Sequence, residues 1–252
     1  MPRYLHPHQG TPSFPVEYSK SVSEVYQDVV KYFINRDRNL DILSILLTHR
    51  NAVSDAELPS WVPDWHVPVS EIPLITQWDF ISMKLAAGGF KVKALAQSFD
   101  EKGILQARGY IFDALHEIEN YSATVHNVLS TLAEFDDDKD GEVNRARQRG
   151  ERAMYAEEFD PQKHRTRTGS TVSGKTCLVP AVARNGDCIA ILLGSKLAFV
   201  LRPTDPNFDL EKAGTTIEAT IVGPCIVPEV MFGMLVKAAK EQNIPPTHFR
   251  LA

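Results

Sequence analysis

The densest concentration of reactive side chains in this 252-residue sequence is Trp61-Val62-Pro63-Asp64-Trp65-His66. It offers two indole faces, two indole N–H donors, a carboxylate and an imidazole in one short loop. The structural reading has the tryptophans plugging a helical hairpin while Asp64 caps a turn. The functional reading makes the loop a pocket wall in which His66 or an indole N–H donates a hydrogen bond to a ligand carbonyl. On the functional reading Trp65 and His66 are the catalytic candidates, and Trp61 and Asp64 contact substrate.

Other motifs weigh less. Gly169 to Thr176 reads G-x-x-x-x-G-K-T, the literal phosphate-loop pattern. Such a loop needs an apolar strand before it and a helix after it, so that backbone N–H groups converge on phosphate. Here a polar stretch, DPQKHRTRT, precedes it, and Pro180 and Gly186 oppose a helix behind it. Asp136, Asp138, Asp140 and Gly141 resemble the first half of a calcium loop. The residue at the loop's twelfth position is Arg147, where a bidentate carboxylate is required. That segment reads as an acidic, solvated turn. Asp187 and Arg202 could form an internal ion pair with a structural purpose. His116, His126 and His164 lack metal-ligand spacing. No nucleophile elbow and no H-E-x-x-H occurs. These residues give no reason to expect a cofactor or a metal.

The charge balance is −5, with no basic stripe, and this argues against a nucleic-acid partner. The densest basic run, Lys163 to Arg167, reads as a solvated loop. Cys177, Cys188 and Cys225 are too few and too widely spaced for a disulfide or zinc framework, and read as buried thiols. The N-terminal stretch MPRYLHPHQGTPSFPV has no apolar core of a signal peptide. No run approaches the roughly 18 apolar residues of a membrane span. A cytosolic protein with no membrane partner is the expectation.

The elements that must position these residues read as α+β. Residues 1–16, with four prolines, form an extended arm ahead of a single domain over 17–252. Ser21 and Glu24 have capping-box spacing, and Val22, Val25, Tyr26, Val29, Val30 and Phe33 make one helical apolar face. Asp37 to Thr48 reads as a second, more buried helix, giving an N-terminal helical hairpin. Residues 58–69 are too proline-rich for regular structure. Residues 103–113 read as a strand, and Ala123–Phe135 and Glu142–Glu158 as helices. From Cys177 on the texture is β, with runs at Asp187–Leu193, Leu197–Arg202 and Thr216–Val222. Glu229–Gln242 is helical again. Helices packed on a small antiparallel sheet or partial β-barrel are expected.

Three groups of residues carry a family resemblance. YSKSVSEVYQDVVKYF, then LDILSIL, then LPSWVPDW is the first. The strand ILQARGYIFDALHEI, with Leu105, Gly109 and Asp113, is the second. Thr171, Gly174, Cys177 and Pro180, followed by Gly186-Asp187, Gly194 and Phe199-Val200-Leu201-Arg202, is the third. In this order, over about residues 17–234, they resemble the region that follows the HET domain in fungal heterokaryon-incompatibility proteins. Only about sixteen residues precede Tyr18, so the HET domain itself is expected to be missing. The family's closing segment commonly reads G-E-C-Y-V-H-G-I-M-D-G-E. Here polar positions have become Ile226, Pro228, Phe232 and Met234. Burial of such groups is worth roughly 25 cal/mol per Å², so the change suits either a tighter core or an apolar pocket. The functional expectation is a cofactor-independent enzyme of fungal specialised metabolism. It would bind an apolar, terpenoid- or polyketide-like substrate and promote a cyclisation such as a Diels–Alder-type cycloaddition. Tyr110, Ile226, Pro228, Val230 and Phe232 would complete the pocket begun by Trp61, Asp64 and Trp65. The alternative is a non-catalytic recognition module derived from an incompatibility protein.

Overall fold

In a computed structural model, residues 17–45, 58–65, 98–119, 166–210 and 215–252 are described. Helix α1 spans Val22–Asp37. Its start is fixed reciprocally: the Ser21 hydroxyl accepts from the Glu24 N–H at 3.3 Å, and Glu24 Oε2 accepts from the Ser21 N–H at 2.7 Å. Arg38, in the left-handed region at φ 51°, ends the helix. The expected helix over Asp37–Thr48 is not formed across its described part. The chain turns at Arg38 and makes only a five-residue 3-10 helix, Asp41–Ile45. The cause is tertiary. The Leu40 N–H donates to the Gly194 carbonyl at 2.8 Å, and Asp41 Oδ1 accepts from the Lys196 N–H at 3.1 Å.

The sheet is larger than expected, with eight strands among the described residues. They are β1 Ser98–Phe99, β2 Leu105–Glu119, β3 Thr166–Thr171, β4 Thr176–Pro180, β5 Cys188–Leu192, β6 Ala198–Pro203, β7 Thr216–Cys225 and β8 Thr247–Leu251. The order β4-β3-β2-β5-β6-β7-β8, with β8 also paired to β2, closes five strands into a ring. The β7–β8 pair is parallel and the other named pairs are antiparallel. A parallel pair needs a crossover. A 3-10 helix, Pro228–Gly233, and helix α2, Met234–Glu241, supply it. The single helix expected over Glu229–Gln242 is broken where Gly233 adopts φ 72°.

Two strands had no apolar signature. β3 reads TRTGST, yet all its positions are buried or half-buried. It begins inside the basic run expected to be a solvated loop, so Thr166 and Arg167 belong to the sheet. β8 follows two prolines and contributes only Phe249 and Leu251 to the interior.

Strand alternation divides the core. Leu105, Ala107, Ala190, Leu192, Phe199, Leu201, Ile217, Ala219, Ile221, Phe249 and Leu251 draw on all five ring strands and fill the barrel. Val30, Ile34, Leu40, Leu43 and Trp61 join the same cluster, so the N-terminal segment closes it. A second cluster sandwiches the outer wall of β2, β5 and β6 against β4 and the crossover. Full burial of each large aliphatic or aromatic side chain is worth about 1.5–3 kcal/mol. No helix among the described residues is long and apolar enough to cross a membrane. The expected arm at 1–16, the helices at 123–135 and 142–158, the acidic loop at 136–147, His126, His164 and His66 all lie outside the described residues, as does the side chain of Phe232.

Candidate functional site

Residues 58–65 form irregular turns, and two contacts staple them to the barrel. The Ser60 N–H donates to the Ala252 carbonyl at 2.8 Å, and the Ser60 hydroxyl accepts from the Ile221 N–H at 2.9 Å. This places Trp61 in the interior cluster at 0% exposure. Its ring lies 5.0 Å from that of Phe99, and the Lys31 ammonium stands 5.8 Å from the Trp61 centroid and 5.4 Å from that of Phe99. Trp65 meets Tyr26 edge-to-face at 5.0 Å. Asp64 is buried nearby. Burial, and then the Asp64 charge, pushes the Tyr26 phenol above its ordinary range.

One atom in this assembly lacks what its chemistry requires. Trp61 Nε1 is buried without a hydrogen-bond partner among the described residues. An unpaired buried donor costs about 1–3 kcal/mol. Buried indole N–H groups ordinarily find an acceptor.

The other candidate residues lie elsewhere. Tyr110, Ile226 and Val230 belong to the outer-wall cluster, where Ile226 bridges to Leu178 of β4 and Pro228 is buried beside them. The structure brings Trp61, Asp64 and Trp65 together. It places Tyr110, Ile226 and Val230 in a separate cluster whose core includes Cys177, Val179 and Met231, with Pro228 buried in the same segment of chain. The apolar segment after Cys225 thus packs a core beneath the β3–β4 hairpin. Sequence reading missed Tyr26, Lys31 and Phe99 at the aromatic site. Tyr26 was legible as part of the helix face, but nothing local connects α1 to the residues around Phe99.

The phosphate-loop match is a β-hairpin turn. The Thr171 N–H donates to the Lys175 carbonyl and the Gly174 N–H to the Thr171 carbonyl, both at 2.9 Å. The Lys175 N–H donates to Thr171 Oγ1 at 3.1 Å, and the Ser173 N–H to Asp113 Oδ2 at 3.0 Å. Amides that would face a phosphate are committed to the turn. Asp113 also accepts from the Ser173 hydroxyl at 2.5 Å and the Ala114 N–H at 2.8 Å. Burial pushes its carboxyl up, but these hydrogen bonds, with one from Thr171, outweigh burial and hold it below the ordinary range. A depressed carboxyl stabilises the fold above its unfolded value and loses that contribution as pH falls through its folded value. In acid, stability should decline as pH drops below about 4. The Asp113→Asn variant should be less stable at neutral pH and show a shallower acid limb in urea titrations. Equal acid limbs would remove Asp113 as the anchor.

All three cysteines are free and buried. Burial pushes the Cys177 and Cys188 thiols up to about 12, and Cys225 well above its ordinary value. A thiol in that state is inert. A chromogenic disulfide reagent should label none of the three thiols in the native protein and all three in denaturant. Rapid native labelling of even one would contradict the packing of its strand.

No family model, curated protein or solved structure matches the chain.

Proposed function

We propose that the chain is a HET-associated-type framework that binds an apolar, carbonyl-bearing small molecule at its aromatic end and promotes its cyclisation. The observation that carries this reading is the buried Nε1–H of Trp61, unpartnered among the described residues. A ligand carbonyl placed there would satisfy it. The ring of Phe99 beside Trp61, and the Trp65–Tyr26 pair packed on the same cluster, suit the apolar body of such a ligand.

The chemistry asked of these residues is modest. An intramolecular Diels–Alder cycloaddition is an isomerisation: three π bonds become one π and two σ bonds, and no proton or electron leaves. Holding diene and dienophile in contact supplies much of the acceleration. A donor on the dienophile carbonyl strengthens as electron density moves onto that oxygen, and more so in a dry site. Trp61 is the donor in this scheme, with Trp65 and Tyr26 as walls. Asp64 positions the wall through its proximity to Tyr26. His66, the other candidate donor, follows Trp65 directly in the chain.

The test is a thermal-shift screen with apolar polycyclic and polyene carbonyl compounds, followed by product analysis for any compound that binds. A ligand at 100 times its Kd should stabilise the fold by about 2.7 kcal/mol. Trp61→Phe keeps an aromatic plug and deletes the donor. Its stability should change by less than about 2 kcal/mol, because lost packing is offset by removal of an unpaired donor. Its ligand affinity should fall about tenfold, or about 1.4 kcal/mol. Full affinity in that variant would rule out the indole contact. Binding without turnover would favour the recognition module over the enzyme.

A further inference from the structure

Lys31 is half-buried on α1, with its ammonium over the rings of both Trp61 and Phe99. Among the described residues no carboxylate lies within ion-pair distance of it. The other lysines of the N-terminal segment and its docking partner are paired. Lys20 meets Asp28 at 2.7 Å, and Lys196 meets Asp41 at 3.3 Å. The Lys31 side chain instead presents its charge to the indole whose N–H has no acceptor among the described residues. Among the described residues, a cation without an anion and a donor without an acceptor therefore share one ring.

From this pairing we infer that the ligand of the aromatic end is an apolar oxyanion, a carboxylate or an enolate, with its charged end between Lys31 Nζ and Trp61 Nε1. The inference rests on the apolar-site reading above and narrows it to acids. One oxygen accepts from the indole and the charge lies against the ammonium. A neutral ester can satisfy only the indole. The buried carboxylate of Asp64, on the Tyr26 and Trp65 side, disfavours the reverse orientation and any anion placed there. The cation also suits catalysis, because a charge beside the carbonyl oxygen stabilises density that accumulates there in the transition state.

The experiment is a tryptophan-fluorescence titration of the full chain with dodecanoate, methyl dodecanoate and dodecylammonium at neutral pH and low salt. Dodecanoate should bind at least tenfold more tightly than the ester, and dodecylammonium more weakly than either. Lys31→Met keeps an apolar stem on the rings. It should bring dodecanoate to the affinity of the ester and leave the ester within about twofold, and Lys31→Arg should restore the preference. Equal binding of acid and ester by the native chain would overturn the oxyanion and leave the apolar site standing. Tighter binding of dodecylammonium would overturn it in favour of Asp64. If neither acid nor ester binds, the apolar site itself fails and the inference with it.

Discussion

Replacing Gly109 by alanine should destabilise the protein by about 3 kcal/mol or more, a severe effect for one methyl group. Gly109 is where the barrel closes: it pairs with Leu192 of β5 on one side and Thr247 of β8 on the other. A Cβ there would stand 2.1 Å from the Ile191 carbonyl oxygen and 3.1 Å from the Leu192 Cα. Both are backbone atoms, so no side chain can rotate away, and relief requires moving β2 from β5. Gly174 is the control. Nothing lies within 4 Å of its would-be Cβ, and its φ of +78° alone should cost alanine about 1 kcal/mol. Urea unfolding of the two variants should separate them clearly. Comparable midpoints would show that β2 and β5 are not so closely apposed.

The second large effect is expected at Asp187. Arg202 donates to it twice, from Nε and Nη2, both at 2.8 Å, and the Arg184 N–H donates a third bond at 2.8 Å. The Asp187 side chain is 4% exposed and that of Arg202 33%. Asp187→Ala would remove both charge-assisted bonds of Arg202, whose Nη2 keeps only the Val182 carbonyl at 3.1 Å, and would leave the Arg184 amide without its acceptor, at a cost of about 2 kcal/mol after allowance for the exposed part of Arg202. Asp28→Ala, which breaks the more exposed pair with Lys20 and leaves Lys20 its contact with Glu17, should barely move the melting point. If both variants melt alike, the turn before β5 does not depend on its ion pair.

Several local signals are legible in the sequence, and the long-range pairings are not. The capping box of Ser21 and Glu24 and the apolar runs of β5, β6 and β7 are written in neighbouring residues, and they formed where expected. The strand at 103–113 was legible too, although it runs on to Glu119. β3 was invisible because it is buried through threonines and a glycine, with no apolar alternation to betray it. β8 is short, and it matters because it joins β7 to β2, a fact that no local pattern contains. Asp37–Thr48 carried the apolar content of a helix, but a backbone bond from Leu40 to Gly194 turns the chain first.

The site divides the same way. The tryptophan loop could be singled out by residue type alone. That Tyr110 would face away from it follows from period-two alternation along β2. Leu105, Ala107 and the partly buried Ile111 pack with the interior cluster, while Tyr110 and Phe112 pack with the outer one. Lys31 and Phe99 come to Trp61 only through the tertiary fold.

The most direct test of the proposed site is the indole N–H itself. The chain has three tryptophans, so the indole region of a nitrogen-15 correlation spectrum holds three signals, and Trp61→Phe identifies the one that matters. On addition of an apolar carbonyl ligand found by the thermal screen, the Trp61 indole proton should move downfield and exchange more slowly, as a donor does when it gains an acceptor. A ligand that stabilises the fold while the Trp61 signal stays unmoved would contradict the account.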